Sequence, residues 1–113
     1  MRAVHIGGSV CVVSGASQGI GASLAELLAD HGAKKVILIA RTKSKLDRVA
    51  DTINAKHPGV AHVFPTDCSD YSAVEETARA VIETFGVPSI LVNCAGAGAW
   101  RFLWEMEAED IAG

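Results

Sequence analysis

Four short apolar runs break up an otherwise mixed chain: Ser9–Val13, Val36–Ala40, Ala61–Phe64 and Ile90–Val92. They are rich in valine and isoleucine and show no alternation with polar residues. Such runs suit strands covered on both faces, as in a parallel sheet. Between them the apolar period lengthens. Ile20, Leu24, Leu27 and Leu28 share one face of a helix that Gly32 would close. Leu46, Val49, Ala50 and Ile53 form a second stripe, with Thr42 or Ser44 available as N-cap. Val74, Ala78, Val81, Ile82 and Phe85 form a third, opened by the capping-box pattern Ser72-x-x-Glu75 and followed by Gly86 and Pro88. The order is βαβαβαβ. Right-handed crossovers then require an α/β, doubly wound parallel sheet with helices on both faces.

A chain of 113 residues, half of them hydrophobic, has room for one small domain and apolar mass enough for a core. Its net charge of −3 argues against a nucleic-acid binder driven by overall charge. That charge is unevenly spread. Residues 1–60 carry eight Lys/Arg against four Asp/Glu, and residues 61–113 carry two against nine, so an anionic ligand belongs with the first half. Cys11, Cys68 and Cys94 fit neither a disulfide scaffold nor a zinc site, which points to a reducing compartment. No run approaches a membrane span, and the start MRAVHIGGSV does not read as a signal peptide. A cytoplasmic location is the expectation. His5, His31, His57 and His62 are scattered without metal-ligand spacing, and no metal site is expected.

The first run leads into Ser14-Gly15-Ala16-Ser17-Gln18-Gly19-Ile20-Gly21 and then the first helix. At a strand–turn–helix junction the free N–H groups of the helix point into the turn, and its dipole favours negative charge. Gly15 can supply a positive φ, Gly19 lets the backbone approach a pyrophosphate, and Gly21 lets helix and strand pack closely. Ser14 and Ser17 offer hydroxyls to phosphate or to the turn itself. A purely structural turn would use the same glycines, but the setting favours a nucleotide. The spacing is neither the Walker pattern nor G-x-G-x-x-G.

Gly15-x-x-x-Gly19-x-Gly21, together with Asn93-Cys94-Ala95-Gly96 after the fourth run, resembles the short-chain dehydrogenase/reductase family, whose second motif is usually Asn-Asn-Ala-Gly. The likeness runs from about Val10 to Gly98. Ser14 stands where Thr is commonest, and Cys94 replaces the second Asn. Cys94 cannot form the amide's paired hydrogen bonds and is expected to act as a small buried hydrophobe. The resemblance implies a Rossmann-type sheet of strand order 3-2-1-4, an incomplete domain. Residues 1–113 would be a dinucleotide-binding half-domain, with a core over about residues 9–98. Residues 99–113 would form a loop and the start of an unfinished helix.

The resemblance also implies a dinucleotide lying over Gly15, Ser17, Gln18, Gly19, Ile20 and Gly21, with Asn93, Ala95 and Gly96 walling the nicotinamide-side ribose. Asp67 would accept from the adenine amine, with the Cys68 backbone beside the ring, while Asp70 caps the third helix. At the end of the second run, where NAD-binding relatives carry an acid, stand Ala40 and then Arg41. An arginine can grip a ribose 2′-phosphate with forked charged hydrogen bonds. Unit charges 4 Å apart at an effective dielectric of 20 interact by about 4 kcal/mol. A hundredfold preference needs only about 2.7 kcal/mol. NADP(H) is therefore expected over NAD(H). Lys43, Lys45 and Arg48 read as a solvated helix start.

The family's chemistry rests on a Ser and a Tyr-x-x-x-Lys that follow its second motif. The one tyrosine here is Tyr71, with Glu75 at i+4, and it reads as structural. No catalytic residue is expected within this chain. Two functions stand open: the cofactor-binding half of an NADP(H)-dependent carbonyl/alcohol oxidoreductase, or a truncated, non-catalytic dinucleotide-binding module. A methyltransferase of similar fold would want an acid where Arg41 stands. For the full-length enzyme the resemblance implies a small carbonyl or alcohol substrate and a homo-oligomer.

Overall fold

A computed structural model of the chain describes residues 5–94. The expected loop and unfinished helix of residues 99–113 lie outside these residues. Seven elements follow one another: β1 (Val10–Ser14), α1 (Gly19–Asp30), β2 (Lys35–Ala40), α2 (Lys43–Lys56), β3 (Ala61–Pro65), α3 (Tyr71–Phe85) and β4 (Ile90–Asn93). All strands pair in parallel in the order β3-β2-β1-β4. The expected strand order, the parallel pairing and each of the four strands are present, with boundaries shifted by at most one residue.

Strand alternation divides the core in two. Cys11, Val13, Val36 and Leu38 turn to the side covered by α1 and α2, where Ala25, Leu28, Leu46, Ala50 and Ile53 meet them. Val12, Ile37 and Ile39 turn to the other side, beneath Val74 and Val81 of α3. β2 therefore buries residues on both faces, which is why its sequence lacks polar alternation. Full burial of one such aliphatic side chain contributes about 1.5–3 kcal/mol.

The helix ends follow local chemistry. After α1, the amide of Gly32 (φ +91°) donates to Ala29 O and that of Ala33 to Leu28 O, a Schellman closure. Asp70 caps α3, accepting from the amides of Ser72 and Ala73 at 3.0 and 3.3 Å. The capping box expected from Ser72 and Glu75 does not form, because the helix begins at Tyr71, and Glu75 pairs with Arg79 instead. Asn54 on α2 clamps β3, donating to Ala61 O and accepting from Ala61 N.

α1 faces the sheet only in part through its apolar stripe. Gly21, Ala25, Leu28 and Ala29 are its buried residues, while Ile20 is 76% and Leu27 49% exposed. At its start the helix lies too close to the first turn for any side chain at position 21, while Leu28 of the expected stripe does turn inward. Among the described residues no helix is long and apolar enough to cross a membrane.

Candidate functional site

Every strand ends at the same edge of the sheet, so the loops after β1, β2, β3 and β4 gather there. In open parallel sheets this carboxyl edge, at the point where the order reverses, forms a crevice. Here β1 is that point: the chain passes outward to β2 and β3 and then returns to β4.

The turn after β1 is tied down by the amides of Gly15 and Ala16, which both donate to Ile39 O on β2, at 2.8 and 3.2 Å. Gly15 and Gly19 have φ of +71° and +61°, a region that disfavours other residues. A Cβ on Gly21 would stand 2.0 Å from Gly15 O, so the helix approaches the turn only because position 21 has no side chain. A Cβ on Gly19 would meet nothing within 4 Å, leaving open space above the turn. Gln18 occupies the N-cap position of α1 in an extended conformation without a side-chain capping bond, and no acid lies in the first turn. The first amides of α1 are therefore available to an anion.

Ser14 departs from expectation. It is fully buried, and its hydroxyl serves neither phosphate nor turn but donates to Asn93 Oδ1 at 2.8 Å, joining β1 to β4. The amide of Cys94 donates to Ser14 O at 3.0 Å. Cys94 itself is exposed rather than buried, one residue past the end of β4. Ala95 and Gly96 lie outside the described residues.

Arg41 follows β2 directly and is exposed. Thr42 is the N-cap of α2, forms no side-chain cap, and is followed by a first turn with no acid. Lys43 is neutralised by Asp47 at 2.7 Å. Lys45 instead reaches across to the glycine-rich turn, its ammonium 3.5 Å from Gln18 Oε1. It is exposed, as expected of a solvated helix start, and the contact lies at the surface. Nothing in the local pattern joins positions 18 and 45; only the crossover brings them together.

Beyond β3, Asp67 Oδ1 accepts from the amide and hydroxyl of Ser69 at 3.0 and 2.6 Å. Those two bonds hold its carboxyl below the usual range, and the Arg41 cation adds a weaker pull. Asp67 is thus an ionised acceptor near Arg41, and Asp70 is the cap. Cys68 is half-buried against the core under α3. The edge accordingly gathers Gly15, Ser17, Gln18, Gly19, Ile20, Arg41, Asp67 and Asn93 at the ends of four neighbouring strands.

Residues 9–112 match the model of the family described as short chain dehydrogenase. The chain belongs to that family. An uncharacterized oxidoreductase of Mycobacterium tuberculosis is 41% identical over 98 residues, covering 85% of this chain and 28% of the relative. The 2,3-dihydroxy-2,3-dihydro-p-cumate dehydrogenase of Pseudomonas putida is 35% identical over 110 residues, covering 97% of this chain and 42% of the relative. Among solved structures, L-sorbose reductase from Gluconobacter frateurii, complexed with NADPH and L-sorbose, superposes with a TM-score of 0.74. It is 32% identical, over 83% of this chain and 36% of that one. A metagenomic short-chain oxidoreductase in complex with NADP gives 0.70 at 36% identity, over 78% of this chain and 39% of that one. This short chain dehydrogenase chain thus spans well under half the length of these relatives.

Proposed function

We propose that this chain is the cofactor-binding half of an NADP(H)-dependent short-chain oxidoreductase acting on a small carbonyl or alcohol. The observation that carries this reading is the start of α1: first amides with no side-chain cap, beneath open space at Gly19, at the same sheet edge as the exposed Arg41. Those features fit a dinucleotide. The first amides of α1 would hold its diphosphate, and Arg41 would hold the ribose 2′-phosphate. Asp67, ionised, would accept from the adenine amine, and the backbone of Cys68 would border the ring. Asn93, oriented by Ser14, would stand with Ala95 and Gly96 behind the nicotinamide-side ribose. The cofactor, when bound, supplies hydride-transfer chemistry.

The absence of an acid after β2 and the presence of Arg41 support NADP(H) over NAD(H). The NADPH and NADP complexes of the two structural relatives point the same way. With Glu75 at i+4 from Tyr71, these 113 residues are expected to bind cofactor without turnover. The proposed setting is the cytoplasm, and the proposed full-length protein is a homo-oligomer.

Calorimetric titration with NADPH and NADH tests the reading. The wild-type chain should bind NADPH at least about a hundredfold more tightly than NADH, and Arg41→Asp should remove most of that preference. Failure to bind either dinucleotide, or equal losses for both in the variant, would refute it.

A further inference from the structure

The NADP(H) reading gives one cation, Arg41, to the 2′-phosphate. A second follows it at the start of α2. Lys45 lies four residues further on, in the first turn of α2, and its Nζ is 3.5 Å from Gln18 Oε1. The two other lysines near the ends of α2 meet carboxylates: Lys43 pairs with Asp47 and Lys56 with Asp30. Among the described residues neither Lys45 nor Arg41 has a carboxylate within ion-pair distance. The amide oxygen of Gln18 is a neutral acceptor, so it places the Lys45 ammonium without cancelling its charge. Gln18 also opens α1 and adjoins Gly19, the residue with open space above it. Lys45 thereby links the start of α2 to the glycine-rich turn by one long, solvent-exposed contact.

We propose that Lys45 is a second specificity-determining residue for the 2′-phosphate, parked on Gln18 until the phosphate arrives. This inference rests on the NADP(H) reading and extends it. Two features follow from a parked ammonium. The exchange of a weak, long hydrogen bond to a neutral amide for a charged contact with phosphate favours the phosphate. Arg41 grips by geometry, whereas lysine acts as a point charge, so Lys45 adds charge without demanding a second fork.

Isothermal titration of the 113-residue chain with NADPH, NADH and the fragment 2′,5′-ADP tests this, using Lys45→Met, Lys45→Arg and Gln18→Glu. Lys45→Met should weaken NADPH and 2′,5′-ADP about tenfold and leave NADH within about twofold. Lys45→Arg should retain the preference. Gln18→Glu should weaken NADPH more than NADH, since a carboxylate would hold the ammonium and repel the phosphate. Equal losses of NADPH and NADH in Lys45→Met would assign Lys45 to the diphosphate and overturn the proposal, as would unchanged affinities. If Arg41→Asp abolishes NADPH preference while Lys45→Met does not, the Lys45 inference alone fails. If the wild-type chain binds neither coenzyme, the cofactor reading itself fails.

Discussion

Ser14 Oγ donates a 2.8 Å hydrogen bond to Asn93 Oδ1, fastening the last residue of β1 to the last residue of β4. With the Cys94 amide donating to Ser14 O, side chain and backbone of one buried serine both hold the end of β4. Ser14→Ala should cost about 1 kcal/mol. Asn93→Ala should cost about 1–3 kcal/mol, because the buried hydroxyl then has only a 3.5 Å contact with Val92 O. Urea unfolding of both single variants and the double variant measures the coupling. Strictly additive losses would show that the two residues act apart.

The contact between Gly21 and Gly15 predicts a sharp contrast between two glycines. At position 21 a methyl group would collide with a carbonyl oxygen at 2.0 Å, so Gly21→Ala should lose about 3 kcal/mol or more and displace α1. At position 19 there is space, and only the positive φ resists substitution. Gly19→Ala should cost about 1–2 kcal/mol and leave the helix in place. Circular dichroism and denaturant midpoints separate the two. Equal costs would contradict the close approach.

Asp30 predicts an acid-side loss of stability. His57 Nε2 lies 2.8 Å from its Oδ1, and that hydrogen bond is the main reason its carboxyl lies below the ordinary value, with Lys56 and His31 adding charge. A depressed native value means the contribution is fully present above about pH 3.9, the unfolded value, and disappears as pH falls through the native one. Wild type should exceed Asp30→Asn in stability near neutrality, and the gap should close below about pH 4. Urea midpoints from about pH 6 down to about pH 2 check this. A constant gap would remove the carboxylate from the account.

The cysteines should separate cleanly under alkylation. Cys94 is exposed at the carboxyl edge and should be modified in the native protein. Cys11 is buried in β1, and burial pushes its thiol above the ordinary value, so little thiolate forms. It should react only on unfolding. Mass spectrometry of timed iodoacetamide reactions tests the order, and early labelling of Cys11 would contradict the packing of β1.

The strands and the glycine-rich turn were legible because each depends on short-range pattern: apolar runs of strand length and glycines at one junction; the strand order followed only from the family resemblance. The inward face of α1 differs in part from the expected stripe, for a physical reason. The stripe drawn through large residues holds at Leu28, but the approach of the helix to Gly15 leaves no room for a side chain at its first inward position, and Gly21, Ala25 and Ala29 complete that face. Those three fall at i, i+4 and i+8, a stripe of small residues that was there to be read. The α3 start was ambiguous because Asp70 and Ser72 are both good caps, and backbone geometry chose Asp70. The exposure of Cys94 and the reach of Lys45 to Gln18 depend on how separate loops meet at the sheet edge. No window of adjacent residues encodes that meeting.

The strand order has a consequence for synthesis. β1 and β2, the two central strands, together with the helix between them, are complete by Ala40. As the polypeptide leaves the ribosome, its innermost pair emerges first. β3, the next to emerge, pairs with β2 on one flank, and β4 pairs with β1 on the other. Among the described strands, none that emerges later lies between two that emerged earlier.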